Sequence, residues 1–181
     1  MFLDLKNKGI VLSVDAIGIH NQIKEVLVRE GATTILNKNQ DTYDHILFKG
    51  LKINALVNVV ERNCTKSYKD FIHSLYHANV LANDFTMINI GTIESLDVKE
   101  NSCENNLLTF DTMPKFEGEL LNIKTVSIVI PDYQKHLLGK ELLSELTEKV
   151  AESVAFIISG KSNFNNGQVV FIDKGAHLKI G

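Results

Sequence analysis

The chain has 181 residues, a formal net charge of −3, 44% apolar and 23% charged residues. That length fits one domain spanning residues 1–181, large enough to bury roughly 70% of the surface its unfolded form exposes. The acidic balance argues against nucleic acid or an anionic membrane as partner, since both select a basic face. No apolar run approaches the ~18 residues of a membrane span, and the start, Met1 to Lys8, has no uninterrupted apolar core of signal-peptide length. Cys64 and Cys103 are too few and too isolated for a disulfide scaffold. The expectation is a cytoplasmic protein in a reducing compartment.

In chain order, Gly9 to Val14 is a nearly continuous apolar run, as expected of a strand covered on both faces. From Ile17 to Glu30, Ile19, Ile23, Val26 and Leu27 fall on one stripe at helical spacing. Gly31 is placed to stop that helix, and Ala32 to Leu36 resumes a β-rich run. Strand, helix and strand with short connections imply a parallel βαβ unit with a right-handed crossover. Further strands are expected at Ile53–Asn58, Thr86–Ile90 and Thr125–Ile130, with His45–Phe48 as one more short candidate. A helix is expected around Ser67–Leu81, with Phe71, Ile72, Leu75 and Tyr76 as its apolar positions. The polar stretch from Asp97 reads as a loop or frayed helix, and Lys115–Leu121 as a short helical pattern before the strand at Thr125. A long helix over Lys140–Ile158 follows from Leu142, Leu143, Leu146, Val150, Val154 and Ile157 at steps of three and four. Val169–Ile172 closes the series. This alternation predicts an α/β fold: a Rossmann-like, doubly wound, mainly parallel sheet with helices on both faces.

The tail, Phe156-Ile-Ile-Ser-Gly-Lys-Ser-Asn-Phe-Asn-Asn-Gly167 followed by Gln168-Val-Val-Phe-Ile-Asp173-Lys-Gly175, resembles the C-terminal signature of the short-chain dehydrogenase/reductase family. The head, Asp4 to Ser13 and on through Gly18-Ile19-His20, resembles that family's opening strand, phosphate turn and first helix. The resemblance implies a dinucleotide lying on backbone at a helix start, where amides and dipole favour its phosphates. The positions matching the family's Thr-Gly-x-x-x-Gly-x-Gly turn are Ser13, Val14, Gly18 and His20, so only the middle glycine is kept. Val14 and His20 bring Cβ atoms where the family has close backbone approach, and Asp15 places an acid inside the turn. His20 reads as a replacement residue before a catalytic one.

Ile53 to Glu61 resembles the family's Asp-x-Leu-Val-Asn-Asn-Ala-Gly strand end, with Asn58 at the first asparagine and Val59, Val60 and Glu61 replacing the rest. Ile88-Asn89-Ile90-Gly91-Thr92 resembles Val-Asn-Ile-Ser-Ser, which puts Thr92 where the family has its catalytic serine. A turn residue after a strand is the commoner reading of Thr92. The family's general acid is the tyrosine of Tyr-x-x-x-Lys, and no tyrosine lies between Tyr76 and Tyr133. A proton donor must stand within hydrogen-bond reach of the reacting oxygen. The nearest replacement, Asp111 with Lys115, reads as a surface ion pair.

The interval from Leu36 to Ile53 is short for the usual helix, strand and helix, so one βα unit is expected to be cut down or lost. Its neighbourhood, Asn37-Lys38-Asn39, has no acid to bind ribose hydroxyls. His73 and His77 share a helical face but lack a third ligand, so no metal is expected. Together these residues predict a catalytically degenerate short-chain dehydrogenase-like protein without a cofactor. Its expected mode of action is binding or assembly, as a homo-oligomer or a hetero-oligomer with a related protein. The alternative is an atypical NAD(P)-dependent oxidoreductase using Ser13, Gly18, His20, Asn58 and Asn89, with Thr92 as its hydroxyl.

Overall fold

In a computed structural model, six strands form one sheet in which every neighbouring pair is parallel. The structure describes residues 3–14, 18–37, 46, 50–59, 68–92, 115–116, 119–120, 123–131, 140–161 and 163–172. The elements in chain order are β1 (Gly9–Ser13), α1 (Ile19–Arg29), β2 (Thr33–Asn37), β3 (Ile53–Val59), α2 (Tyr68–His77), β4 (Leu81–Thr92), β5 (Lys115–Phe116), β6 (Glu119–Leu120), β7 (Lys124–Ile130), α3 (Lys140–Ile158) and β8 (Gln168–Phe171). The strand order is β2-β1-β3-β4-β7-β8, with β5 and β6 paired separately. A doubly wound sheet of order 3-2-1-4-5-6 carries a strand outside the second one. Among the described residues β2 is instead the edge, in keeping with a βα unit shortened between Leu36 and Ile53.

Strand alternation divides the core into two layers. Leu12, Val57, Ile88 and Val126 point to the face covered by α1 and α3, packing with Ile19, Ile23, Leu27, Val150 and Val154. Val11, Leu56 and Met87 point to the opposite face, against Ile72 and Leu75 of α2. Burial on both faces is why β1, β3 and β7 read as apolar runs rather than alternating ones.

Helix ends follow backbone chemistry. After α1, Gly31 takes φ +94°; its N–H donates to the Val28 carbonyl at 3.0 Å and the Ala32 N–H to the Leu27 carbonyl at 2.9 Å. This is the Schellman arrangement. Asn79 repeats it after α2 at φ 54°, with its N–H on Tyr76 and the Val80 N–H on Leu75. That stop is why the helix expected to reach Leu81 ends at His77, and why β4 begins at Leu81 rather than Thr86.

Two local expectations are corrected. Lys115–Leu121, expected as helix, contains the antiparallel pair β5 and β6, with Lys115 opposite Leu120 and Phe116 opposite Glu119. Seven residues are too few for a self-supporting helix, and Gly118 inside one costs about 1 kcal/mol. Ile46, inside the short strand expected at His45–Phe48, is helical and fully buried in the second core layer. The stretch 97–114 lies outside the described residues.

Candidate functional site

In open α/β sheets the ligand cleft lies beyond the carboxyl ends of the strands, where the strand order reverses. Here that point falls at β1, between β2 and β3. Ser13 ends β1 and is 2% exposed; its Oγ accepts the Val59 N–H at 2.7 Å. The hydroxyl is thereby committed to closing the gap between β1 and β3. Val14 follows at 44% exposure, so its side chain lies at the surface. Gly18 takes φ 85° and ψ 13° at the N-cap of α1. A Cβ there would stand 3.4 Å from Asn21 Nδ2 and would strain the left-handed backbone. His20, one residue inside the helix, is buried at 8% exposure. Of the two side chains that replace family glycines, His20 alone is taken into the protein.

Asn58 and Asn89 stand opposite each other in the β3–β4 register. They are 2% and 0% exposed, and Asn58 Nδ2 donates to Asn89 Oδ1 over 3.4 Å. Among the described residues, Asn58 Oδ1 and Asn89 Nδ2 have no hydrogen-bond partner. Thr92 is half-buried at the end of β4, in register with Ile130.

The candidate residues thus divide between the two faces. Ile19 beside Gly18 and His20 joins the layer under α1 and α3, whereas Asn58 and Asn89 have the strand parity of Leu56 and Met87, on the α2 face. Asp15, Lys38, Cys64, Cys103 and Asp111 fall outside the described residues. His77 is exposed, edge-on to Tyr76 at 5.7 Å between ring centres. No group of three metal-ligating side chains exists among the described residues.

Chemically, the buried polar side chains among the described residues are Ser13, His20, Asn58, Thr86, Asn89, Thr125 and Ser127. Apart from His20 they are amides and hydroxyls, which hold hydrogen bonds but do not exchange protons near neutral pH. Among the described residues, the carboxylate with a displaced pKa, Asp84, lies at the other end of the sheet. Burial pushes it upward, but hydrogen bonds from Lys8 and Asn54 and the Lys8 charge outweigh that and hold it below its usual 3.8. A nicotinamide dinucleotide calls for close backbone approach at the first turn and, near the end of β2, an acid for the ribose hydroxyls of NAD or a basic group for the 2′-phosphate of NADP. The turn supplies Gly18 alone among its glycines, and β2 ends on Asn37.

Sequence reasoning missed two clasps. Asn166, which reads as loop, accepts both the Thr125 N–H at 2.8 Å and the Thr125 hydroxyl at 2.9 Å. It fastens the turn before β8 to the start of β7. At the amino ends, Asn54 Oδ1 accepts the Gly9 N–H at 3.1 Å while its Nδ2 donates to Asp84, and Lys8 pairs with Asp84 at 2.8 Å. The available signal for the first was Asn-Gly before a strand; the second joins residues far apart in sequence and left none.

Structural relatives agree with this fold. A double mutant of a Serratia marcescens short-chain dehydrogenase/reductase superposes with TM-score 0.62 at 16% identity, over 95% of this chain and 98% of that one. The dehydrogenase Cj0485 gives 0.57 at 16% identity, over 97% and 96%. BdcA (YjgI) from E. coli gives 0.51 at 15% identity, over 93% and 100%. No family model matches the chain, and no curated protein does either. What the six parallel strands and these likenesses establish is the fold of the short-chain dehydrogenases/reductases.

Proposed function

We propose that this chain uses a short-chain dehydrogenase-like fold, as a single domain in the cytoplasm, for binding or assembly rather than for hydride transfer. One observation carries the reading. The connection from β4 to β7, where the family keeps Tyr-x-x-x-Lys, runs from Ile93 to Ile123 without a tyrosine. The neutral amides and hydroxyls at the strand ends support it, because they bind without supplying a proton. Assembly is supported by β8, which among the described residues is an edge of the six-stranded sheet; edge strands invite pairing. The partner is a second copy or a related chain of the same fold. Sedimentation velocity at micromolar concentration tests this, with a dimer or larger species expected. A sharp monomer without a copurifying partner contradicts it.

Gly18 favours the alternative, an atypical NAD(P)-dependent oxidoreductase. It keeps the left-handed backbone that opens a phosphate-binding helix, and the first turn of α1 has no acidic residue to repel an anion. In that reading Ser13, Gly18, His20, Asn58 and Asn89 line the cofactor and Thr92 supplies the hydroxyl. Micromolar affinity for NADH or NADPH would establish it.

A further inference from the structure

A line of neutral polar residues crosses the centre of the sheet on its α2 face. Asn37 pairs with Ser13, Asn58 with Asn89, and Asn89 with Ser127 in the strand registers. The next line toward the amino ends, Ile35, Val11, Leu56 and Met87, is apolar and belongs to the second core layer. Ser13 is already bonded to the Val59 N–H. Asn58 and Asn89 share one long bond of 3.4 Å. It consumes one donor and one acceptor, and leaves Asn58 Oδ1 and Asn89 Nδ2 without partners among the described residues. Exchanging oxygen and nitrogen in both amides changes nothing in this balance, for one carboxamide oxygen and one NH2 group still remain.

The unmet pair selects its guest. Among the buried described residues a cation would find no carboxylate, and an anion would face a bare carbonyl oxygen. A neutral group that donates once and accepts once satisfies both atoms. Ser127, 2% exposed and adjacent to Asn89, supplies a hydroxyl on the same face, and internal waters typically make about three such bonds. We propose that one water molecule is bound internally by Asn58, Asn89 and Ser127, fastening β3, β4 and β7 beneath the carboxyl-end cleft.

A crystal structure of the full chain at about 1.5 Å tests the assignment. The expected result is one isolated peak within hydrogen-bond distance, about 2.7–3.2 Å, of Asn58 Oδ1 and Asn89 Nδ2. Overturning results are protein atoms meeting both groups, no peak, or density continuing into a larger molecule. In solution, the Asn89 side-chain amide protons should show a cross-relaxation peak to a long-lived water; its absence overturns the proposal. Asn58→Leu and Asn89→Leu should each lower the folding equilibrium constant about tenfold or more, by leaving the other amide buried and unmet. The double variant should lose far less than the product of the two. Effects that simply multiply would make the amides independent and refute a shared guest.

Discussion

Asn166→Ala is the sharpest structural perturbation available, because one side-chain oxygen holds two groups of β7. Asn166 Oδ1 accepts the Thr125 N–H at 2.8 Å and its hydroxyl at 2.9 Å, while Thr125 is 4% exposed. Removing that oxygen takes this acceptor from a part-buried backbone donor, which costs about 1–3 kcal/mol. Taking about 2 kcal/mol and a urea slope of about 2 kcal/mol per molar, the unfolding midpoint should fall by about 1 M. Asn166→Asp keeps an acceptor oxygen at the same place, and Asn166 is exposed enough for the charge to stay hydrated. That variant should retain most of the stability at pH 7. Thr125→Val removes the hydroxyl bond and keeps the backbone one, so its loss should be about 1 kcal/mol. Urea unfolding followed by far-ultraviolet circular dichroism reads all three. A midpoint for Asn166→Ala within about 0.2 M of the parent would refute the clasp, using the same slope. So would an Asn166→Asp variant as weak as the alanine one.

Gly9→Ala should destabilise by about 1–3 kcal/mol, since the added Cβ would run into the Lys52 backbone carbonyl, which has little room to yield; chemical denaturation measures it. Ile23→Ala empties a fully buried position between α1 and the sheet. A loss of about 3 kcal/mol is expected, seen in a thermal melt as a fall of about 6–12 °C. Asp84→Asn should flatten the acid end of the stability curve. The folded carboxyl lies below 3.8, so its contribution is complete above that value and is lost as pH falls through the folded pKa. Because Asp84 is 60% exposed in its pair with Lys8, the difference should stay below about 1 kcal/mol. Urea midpoints at pH 6 and near pH 3 measure it, and an unchanged acid slope would count against the pairing.

What the sequence made legible follows from how local each cause is. The apolar runs at Gly9–Ser13 and Lys124–Ile130 and the stripe over Lys140–Ile158 announce their elements, because burial on one or both faces is written into periodicity. Gly31 marked the end of α1 for the same reason; Asn79 did the equivalent work after α2 with a weaker residue signal. The pair β5 and β6 went unread because two-residue strands have no period to detect. Ser13, Gly18, Asn58 and Asn89 were singled out as candidates through resemblance to family motifs. That Ser13 bonds the Val59 amide, or that Asn58 meets Asn89, depends on register between strands 46 and 31 residues apart, which no single segment encodes. Asn54 shows the limit most plainly. It stands where the β1–β3 register shifts and spans to Asp84, and nothing in its neighbours foretells either.

Calorimetric titration of the full chain with NADH and NADPH tests the central claim, that the fold persists where the cofactor's glycine cradle does not. Absent or millimolar binding is the predicted result. Micromolar binding of either, with the dinucleotide ordered across the first βα crossover near Gly18 and His20, would contradict it and restore the oxidoreductase reading.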